Sequence, residues 1–458
     1  MAARLPERYP LAMRARLLPA RPEASSAAKP KQNWFLYAFL ILLPLQNLQT
    51  DYIPNFGGGL NFLNIGFVLA FIGALRCGGT VTRWSGLRNW VVLFIAYCYL
   101  SVIIGFANVP SAGPTDDRFN SLKDQALAML LVFIAQMSVV NWTALKRIIL
   151  VTILPMPYML RVTWDQHNSV NGWHYNDDMR ISGTFSLLGA NEFAAFCVTM
   201  TILFFALLLA MKWSRWWRIV LVGGIACMAL GIVWTYSRTA YITVLLGGAT
   251  VILLWRGRWK MILPLILVAL ILPGMLPVSV TERFGSTTIE EGKRDESVEM
   301  RFEFWRIAWK NFTEHPLFGS GYRTFGHHEI NPFNMDTHNF FMRELTEKGL
   351  FGIAITIGLL LSIARACLRV MRESPQDNLA YALGLGMVAA WLALVVGNFF
   401  GDRFTYYPMI GYFWVYLGLT LKAYELMVAE KKVLVESVKQ PVSPPVRRFA
   451  QPRKLLED

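Results

Sequence analysis

Six histidines, and arginines that interrupt long apolar runs, are the residues best placed for chemistry in this chain. Imidazole is neutral near pH 7 and accepts protons there, so His167, His174, His315, His327, His328 and His338 are the candidate general bases. Only His338 begins a helical pattern, "HNFFMRELTEKGLFG", residues 338–352. Unsatisfied N–H groups and the positive end of the dipole disfavour imidazolium there, and nearby arginines add to the effect. Asp336 or Thr337 is expected to cap this helix, leaving Asn339 to orient a bound hydroxyl. Planar guanidinium forks grip oxyanions in a bidentate way that Lys cannot copy. The candidates are Arg180, Arg238, Arg301, Arg306 and Arg323. Arg238 lies in a very short connection between two apolar runs, at membrane depth, where a cation is costly and functional unless it snorkels to headgroups or pairs with Asp178. Arg180 beside Asp177 and Asp178 reads equally as a loop ion pair, and Arg301 and Arg306 as groups attracting anionic lipid.

Further along the same stretch, Arg343, Glu344, Glu347 and Lys348 are expected to pair within the helix or across a wet cleft, Glu344 to Lys348 being the favourable i, i+4 order. Gly349 and Gly352 fall on the face of His338 and are expected to let a neighbouring helix pack closely. A metal site built from His315, His327, His328, Glu329, Asp336 and His338 lacks a helical H-x3-H pair, so no metal and no other cofactor is expected. The five cysteines form no disulfide or metal pattern.

These residues must be positioned by membrane helices. Hydrophobic residues make up 55% of the chain and charged residues 16%, and mean hydropathy is +0.39, beyond what a soluble domain carries. The fold class is therefore all-α and polytopic. Apolar windows of membrane-spanning length give about twelve expected spans, near 33–50, 59–75, 89–107, 121–140, 145–164, 187–211, 217–236, 239–255, 260–277, 345–368, 380–400 and 405–425. Every second connection is basic, as in Arg76 to Arg88, Lys146–Arg147, Lys212 to Arg218, Arg256 to Lys260 and Arg365 to Arg372. Both tails, 1–32 and 426–458, are basic as well, which puts both termini in the cytoplasm. Most of the net charge of +14 is thus topology. It is dispersed, without an aromatic-interleaved patch, so no nucleic-acid partner is expected. A transporter or flippase would show related halves and mid-span ionisable residues, and neither is evident. A scaffold would explain the spans but not the Arg and His constellation.

One connection, 278–338, is long and falls outside the cytoplasm. In "RFEFWRIAWKNF" a single helical face carries Phe302, Trp305, Ala308, Trp309 and Phe312, a pattern suited to the membrane interface. "HPLFGSGYRTFG" follows, a turn-rich segment whose backbone can approach a ligand.

The stretch Arg301–Gly352 resembles the O-antigen ligase and O-antigen polymerase superfamily. It carries R-x3-W at Arg301 and Trp305, then "HPLFGSG", then His338-Asn339 followed after nine residues by "GLFG". "RISGTFSLLGANEFAAF" (180–196) and "YSRTAY" (236–241) are similar to the family too, and the likeness spans roughly 180–400. The resemblance implies a metal-independent membrane glycosyltransferase domain at 33–425 with 278–338 as a large periplasmic loop, in the bacterial inner membrane. Its partners would be an undecaprenyl-diphosphate-linked glycan donor and a glycan or lipid A core acceptor, with inversion at the anomeric carbon. On that reading His338 is the catalytic base, while Arg180, Arg238, Arg301, Arg323 and Asn339 bind substrate. Ligation, polymerisation and transfer to a protein hydroxyl share this chemistry and stay open.

Overall fold

A computed structural model describes residues 31–52, 61–82, 84–109, 118–170, 176–261 and 296–439. Most of both tails, the expected span 260–277 beyond Met261, and the expected loop as far as 295 lie outside the described residues. Within them every regular element is helical. In chain order these are α1 (Trp34–Leu42), α2 (Gln46–Tyr52), α3 (Phe62–Cys77), α4 (Ser85–Asn108), α5 (Arg118–Ser138), α6 (Trp142–Ile153) and α7 (Met156–Ser169). There follow α8 (Ala190–Ala210), α9 (Arg215–Trp234), α10 (Arg238–Leu254), α11 (Glu296–Glu314), α12 (Phe340–Glu373), α13 (Leu379–Gly397) and α14 (Tyr407–Lys439).

Among the described residues, six stretches are long and apolar enough to cross a membrane: Gly86–Asn108, Trp142–Ser169, Ala190–Ala210, Arg215–Trp234, Phe340–Glu373 and Leu379–Phe400. Phe62–Cys77 and Arg238–Leu254 are shorter apolar helices. The chain is a multi-pass membrane protein. The stretch expected as one span at 33–50 divides into α1 and α2 around Pro44, which has no N–H to continue a helix. Pro155 likewise separates α6 from α7.

Helix starts follow local chemistry. Asn33, Asn61, Asn141, Asn339 and Asn378 each accept a backbone N–H in the first turn with the side-chain oxygen, satisfying donors that the helix cannot. Packing then sorts the apolar helices. The membrane-length windows of α8 and α13 are 72% and 78% buried, whereas that of α9 is 28% buried; α8 and α13 are central and α9 peripheral. α13 packs on α8, α10 and α12, and α14 lies along α5. Val92, Ile103, Ile219, Val222, Leu245 and Leu253 are exposed, as an outer surface facing lipid requires.

α11 presents two faces. Phe304, Ala308 and Asn311 point inward while Phe302 and Trp309 are exposed. Its inner face is fixed by α12: Thr346 Oγ1 donates to the Ala308 carbonyl at 2.8 Å, and Asn311 Nδ2 donates to Ser320 Oγ and Thr346 Oγ1 at 2.9 and 3.0 Å. Polar partners, absent from a count of apolar residues, turn the helix.

Candidate functional site

The centre of the site is the start of α12. Asn339 is its N-cap, Oδ1 accepting from Phe341 and Met342 N–H at 3.0 and 3.2 Å. The cap expected at Asp336 or Thr337 is thereby corrected, because only Asn339 stands one residue ahead of the first helical turn. Asn339 is buried, and its oxygen is committed to the helix. His338 precedes the cap in a left-handed backbone conformation, φ +50°, unusual for a residue with a Cβ and characteristic of sites that hold a side chain in a required direction. Its neighbours are strapped in place. Trp305 Nε1 of α11 donates to the Thr337 carbonyl at 3.0 Å. Asn339 N–H donates to Thr337 Oγ1 at 3.2 Å, and Phe340 N–H to the Gly401 carbonyl at 3.1 Å.

The imidazole remains accessible, with the Phe304 ring centroid 6.0 Å away. Surrounding protein removes part of its hydration, which lowers its pKa below the ordinary 6.5; Arg301 and Arg403 lower it further and Asp336 opposes them. Neutral imidazole is therefore the dominant form at pH 7.

Arg301 was expected from sequence; Arg403 was not. Arg403 forms an ion pair with Glu192 at the start of α8, and its N–H donates to Asn398 Oδ1 at 2.8 Å. The neighbouring Asn191 gathers one more candidate and the residue before another: its Oδ1 accepts from Arg180 Nη2 at 2.7 Å and from Ser237 Oγ at 3.1 Å. Ser237 is the N-cap of α10, whose first residue is Arg238. Asn191, Ser237 and Arg403 line one small crevice, so "GANEF", "YSR" and the α13–α14 connection meet at one place. Asp402-Arg403 is a charged pair between two apolar runs, the same signal that marks Arg238, and it was open to the same reading.

Arg323 is placed otherwise. Its guanidinium donates to Ser121 Oγ of α5, and it lines a cleft with Gln46, Asp124 and Tyr406, while Arg301 and Arg403 are the cations acting on His338. Arg306 is exposed and pairs with Glu303 at 2.7 Å.

The charges after His338 form no wet cleft. Arg343, Glu344, Glu347 and Lys348 are each at most 4% exposed. Arg343 Nη1 lies 2.6 Å from Asp402 Oδ2 and 3.5 Å from Asp336 Oδ2, and its Nη2 donates to Thr405 Oγ1 at 2.8 Å. Lys348 Nζ lies 2.6 Å from Glu344 Oε1, and Thr356 Oγ1 donates to Glu344 Oε2 at 2.7 Å. Glu347 Oε2 accepts the Arg323 N–H at 2.8 Å. Burial demands such pairing, since a charge stripped of water and left single is prohibitive. The network ties α12 to the 320s loop and the 402–405 loop and so carries the platform beneath His338.

Gly349 is also corrected: it breaks α12 instead of seating a neighbouring helix. Its φ of 64° and ψ of −165° belong to a region reserved for glycine. The backbone groups released by the break find partners in "HPLFGSG". Leu350 and Phe351 N–H donate to the Pro316 and Leu317 carbonyls at 2.9 and 3.2 Å, and Ser320 and Gly321 N–H to the Thr346 and Glu347 carbonyls at 3.0 and 2.8 Å. A Cβ on Gly319 would stand 2.3 Å from the Glu347 carbonyl carbon. The two motifs, "HPLFGSG" and "GLFG", are thus halves of one joint.

Among the described residues, one grouping offers metal-ligand atoms within 4.8 Å of one another, His327, His328 and Glu329. It lies on the surface and includes neither Asp336 nor His338. His174 and the side chain of Asp177 are outside the described residues.

Residues 223–357 match the family model described as O-antigen ligase. No curated protein matches the chain. The match supports the resemblance read from the motifs over this stretch. It encloses Arg238, Arg301, Arg323, His338 and Asn339 and stops short of Arg180, Glu192 and Arg403.

Proposed function

We propose that the protein transfers a glycan from undecaprenyl diphosphate to a sugar hydroxyl on the periplasmic side of the bacterial inner membrane, with twelve spans and both termini cytoplasmic. The observation that carries this reading is the pairing of opposite demands at one point: an accessible His338 kept neutral, beside Arg301 and Arg403 that favour an anion.

The chemistry follows from charge. The acceptor oxygen attacks the anomeric carbon as the bond from that carbon to the diphosphate oxygen breaks. The hydroxyl proton passes to His338, and the electron pair leaves with the diphosphate. Diphosphate is a good leaving group once guanidinium forks neutralise it, so no general acid is required. Arg238 and Arg301 are assigned to that grip, supported by Arg180 through Asn191. A single displacement inverts the anomeric carbon, and no metal takes part. Asn339 serves as the cap that aims His338.

The test is transfer from purified lipid-linked donor in vesicles, with chelator present. General-base assistance is worth about 10²- to 10⁴-fold, and His338→Ala should slow transfer by that factor while donor binding persists. His327→Ala and His328→Ala should leave transfer intact. Robust activity of His338→Ala, or chelator sensitivity shared with the His327 and His328 variants, overturns the assignment in favour of a metal centre at His327, His328 and Glu329.

A further inference from the structure

The α13–α14 connection carries an arginine held on three sides. Arg403 is buried. Its backbone N–H donates to Asn398 Oδ1 at 2.8 Å, and Asn398 is fixed in turn by donation from Nδ2 to the Leu394 carbonyl at 2.7 Å. Its guanidinium pairs with Glu192, which stands in the first turn of α8, where the helix dipole favours a carboxylate. The third side is Gly401. A Cβ there would stand 2.7, 2.9 and 3.1 Å from Nη2, Cζ and Nη1 of Arg403, so the missing side chain is the slot in which the guanidinium lies. The Gly401 backbone is nearly fully extended, φ 164° and ψ −167°, and does not itself call for glycine. The guanidinium does.

The slot adjoins the turn that carries His338. The Gly401 carbonyl accepts the Phe340 N–H at 3.1 Å, so a single residue lies between the guanidinium and the backbone of that turn. Burial, Arg301 of α11 and Arg403 disfavour imidazolium at His338, and Asp336 on its own segment favours it. Asp336 also faces Arg343 at 3.5 Å, and Arg343 is paired with Asp402. A buried cation held in place acts on its neighbours with far less screening than one free to swing into water. The placing of Arg403 therefore matters as much as its charge.

We propose that Glu192 and Gly401 are positioning residues of the site: Glu192 by its charge and Gly401 by its missing side chain hold the Arg403 guanidinium beside the His338 turn. Neither touches the reacting atoms. The consequence for transfer rests on the general-base reading of His338; the effect on the imidazole does not. Gly401→Ala pushes the guanidinium out of its slot. Glu192→Gln leaves a buried cation without its counter-charge, which drives it toward water. Either displacement makes imidazolium easier to form, so the His338 pKa rises and the acid limb of transfer moves to higher pH.

The experiment follows the imidazole directly. The full chain, with ¹³C-labelled histidines, is titrated by NMR in detergent, and the His338 signal is identified by its loss in His338→Ala. Gly401→Ala and Glu192→Gln should each raise the His338 pKa beyond the scatter of a control, Gly397→Ala, whose Cβ would stand 3.7 Å from Thr243 and 4.0 Å from Arg403 Cγ in ordinary contact. In an Arg403→Gln background neither should raise it further, because both act through the guanidinium. A purely structural role would lower the thermal unfolding midpoint and leave the titration where it is. An unmoved pKa in both variants, or equal shifts with and without Arg403, overturns the proposal, and a shift in one variant alone strikes the other residue from it. If Gly401→Ala does not fold, Glu192→Gln decides. A raised pKa in a protein whose wild type transfers nothing sustains the positioning and overturns the transfer reading alone.

Discussion

His338 combines accessibility, a left-handed backbone and a lowered pKa; the straps from Trp305 and Gly401 hold the segment, and partial desolvation reinforced by Arg301 and Arg403 lowers the pKa. A base must be unprotonated to act, so transfer should fall as pH drops through the His338 pKa, and a pKa below 6.5 puts that limb on the acid side of 6.5. Removing a neighbouring positive charge makes imidazolium easier to form. Arg403→Gln should therefore move the limb to higher pH, in addition to any loss of rate, and a pH–rate profile of the variant is the measurement; an unmoved limb would separate Arg403 from the base. Arg238 asks a different question, of geometry and not charge. If its fork grips diphosphate, Arg238→Lys should lose most activity although the charge is kept, and near-normal turnover in the same vesicle assay would reduce it to an anchor at the membrane surface.

The elements that hold these residues are set by one break in one helix. Gly349 occupies backbone space closed to other residues, and a Cβ there would also lie 2.4 Å from the Leu317 carbonyl carbon. The strained conformation alone costs a substituted residue about 1–3 kcal/mol, and the overlap adds to it. Gly349→Ala should lower the thermal unfolding midpoint in detergent and abolish transfer with it, because the "HPLFGSG" loop and the Arg343 platform are built on the break. Gly248 in α10 has open space around it, and Gly248→Ala should be neutral or stabilise by up to about 1 kcal/mol. Equal midpoints for the two variants would mean that the joint is not a structural necessity.

For the whole molecule, the proposed topology, argued from alternating basic connections, predicts that His338 and its loop face away from the cytoplasm. Ser320, in the motif itself, is 1% exposed and useless as a probe, whereas Met335 is 49% exposed. Met335→Cys should react with a membrane-impermeant thiol reagent in intact cells whose outer membrane is permeabilised, the native thiols at Cys77, Cys98, Cys197 and Cys367 being buried. Reaction only after lysis would invert the topology and remove the site from the periplasm. The same orientation predicts a cellular consequence on deletion: single lipid-linked repeat units accumulate if the protein polymerises, and long lipid-linked chains if it ligates.

Much of this was legible in the sequence because hydropathy and periodicity are local sums along the chain. The membrane character, most of the helices and the likeness between Arg301 and Gly352 all come from windows of a few to some tens of residues. Tertiary structure decided what distance along the chain conceals. Arg403 meets Glu192 across 211 residues and Arg343 meets Asp402 across 59. Neither partner is marked by spacing, only by packing of α8, α12 and α13. The four charges after His338 looked like the lining of a wet cleft because exposure is the commoner fate of charge; they are buried because each finds its counter-ion there. Gly349 looked like a packing surface because a helical period runs through it. Only the neighbouring loop, which accepts and returns the hydrogen bonds of the broken turn, makes it a fixed break in the helix.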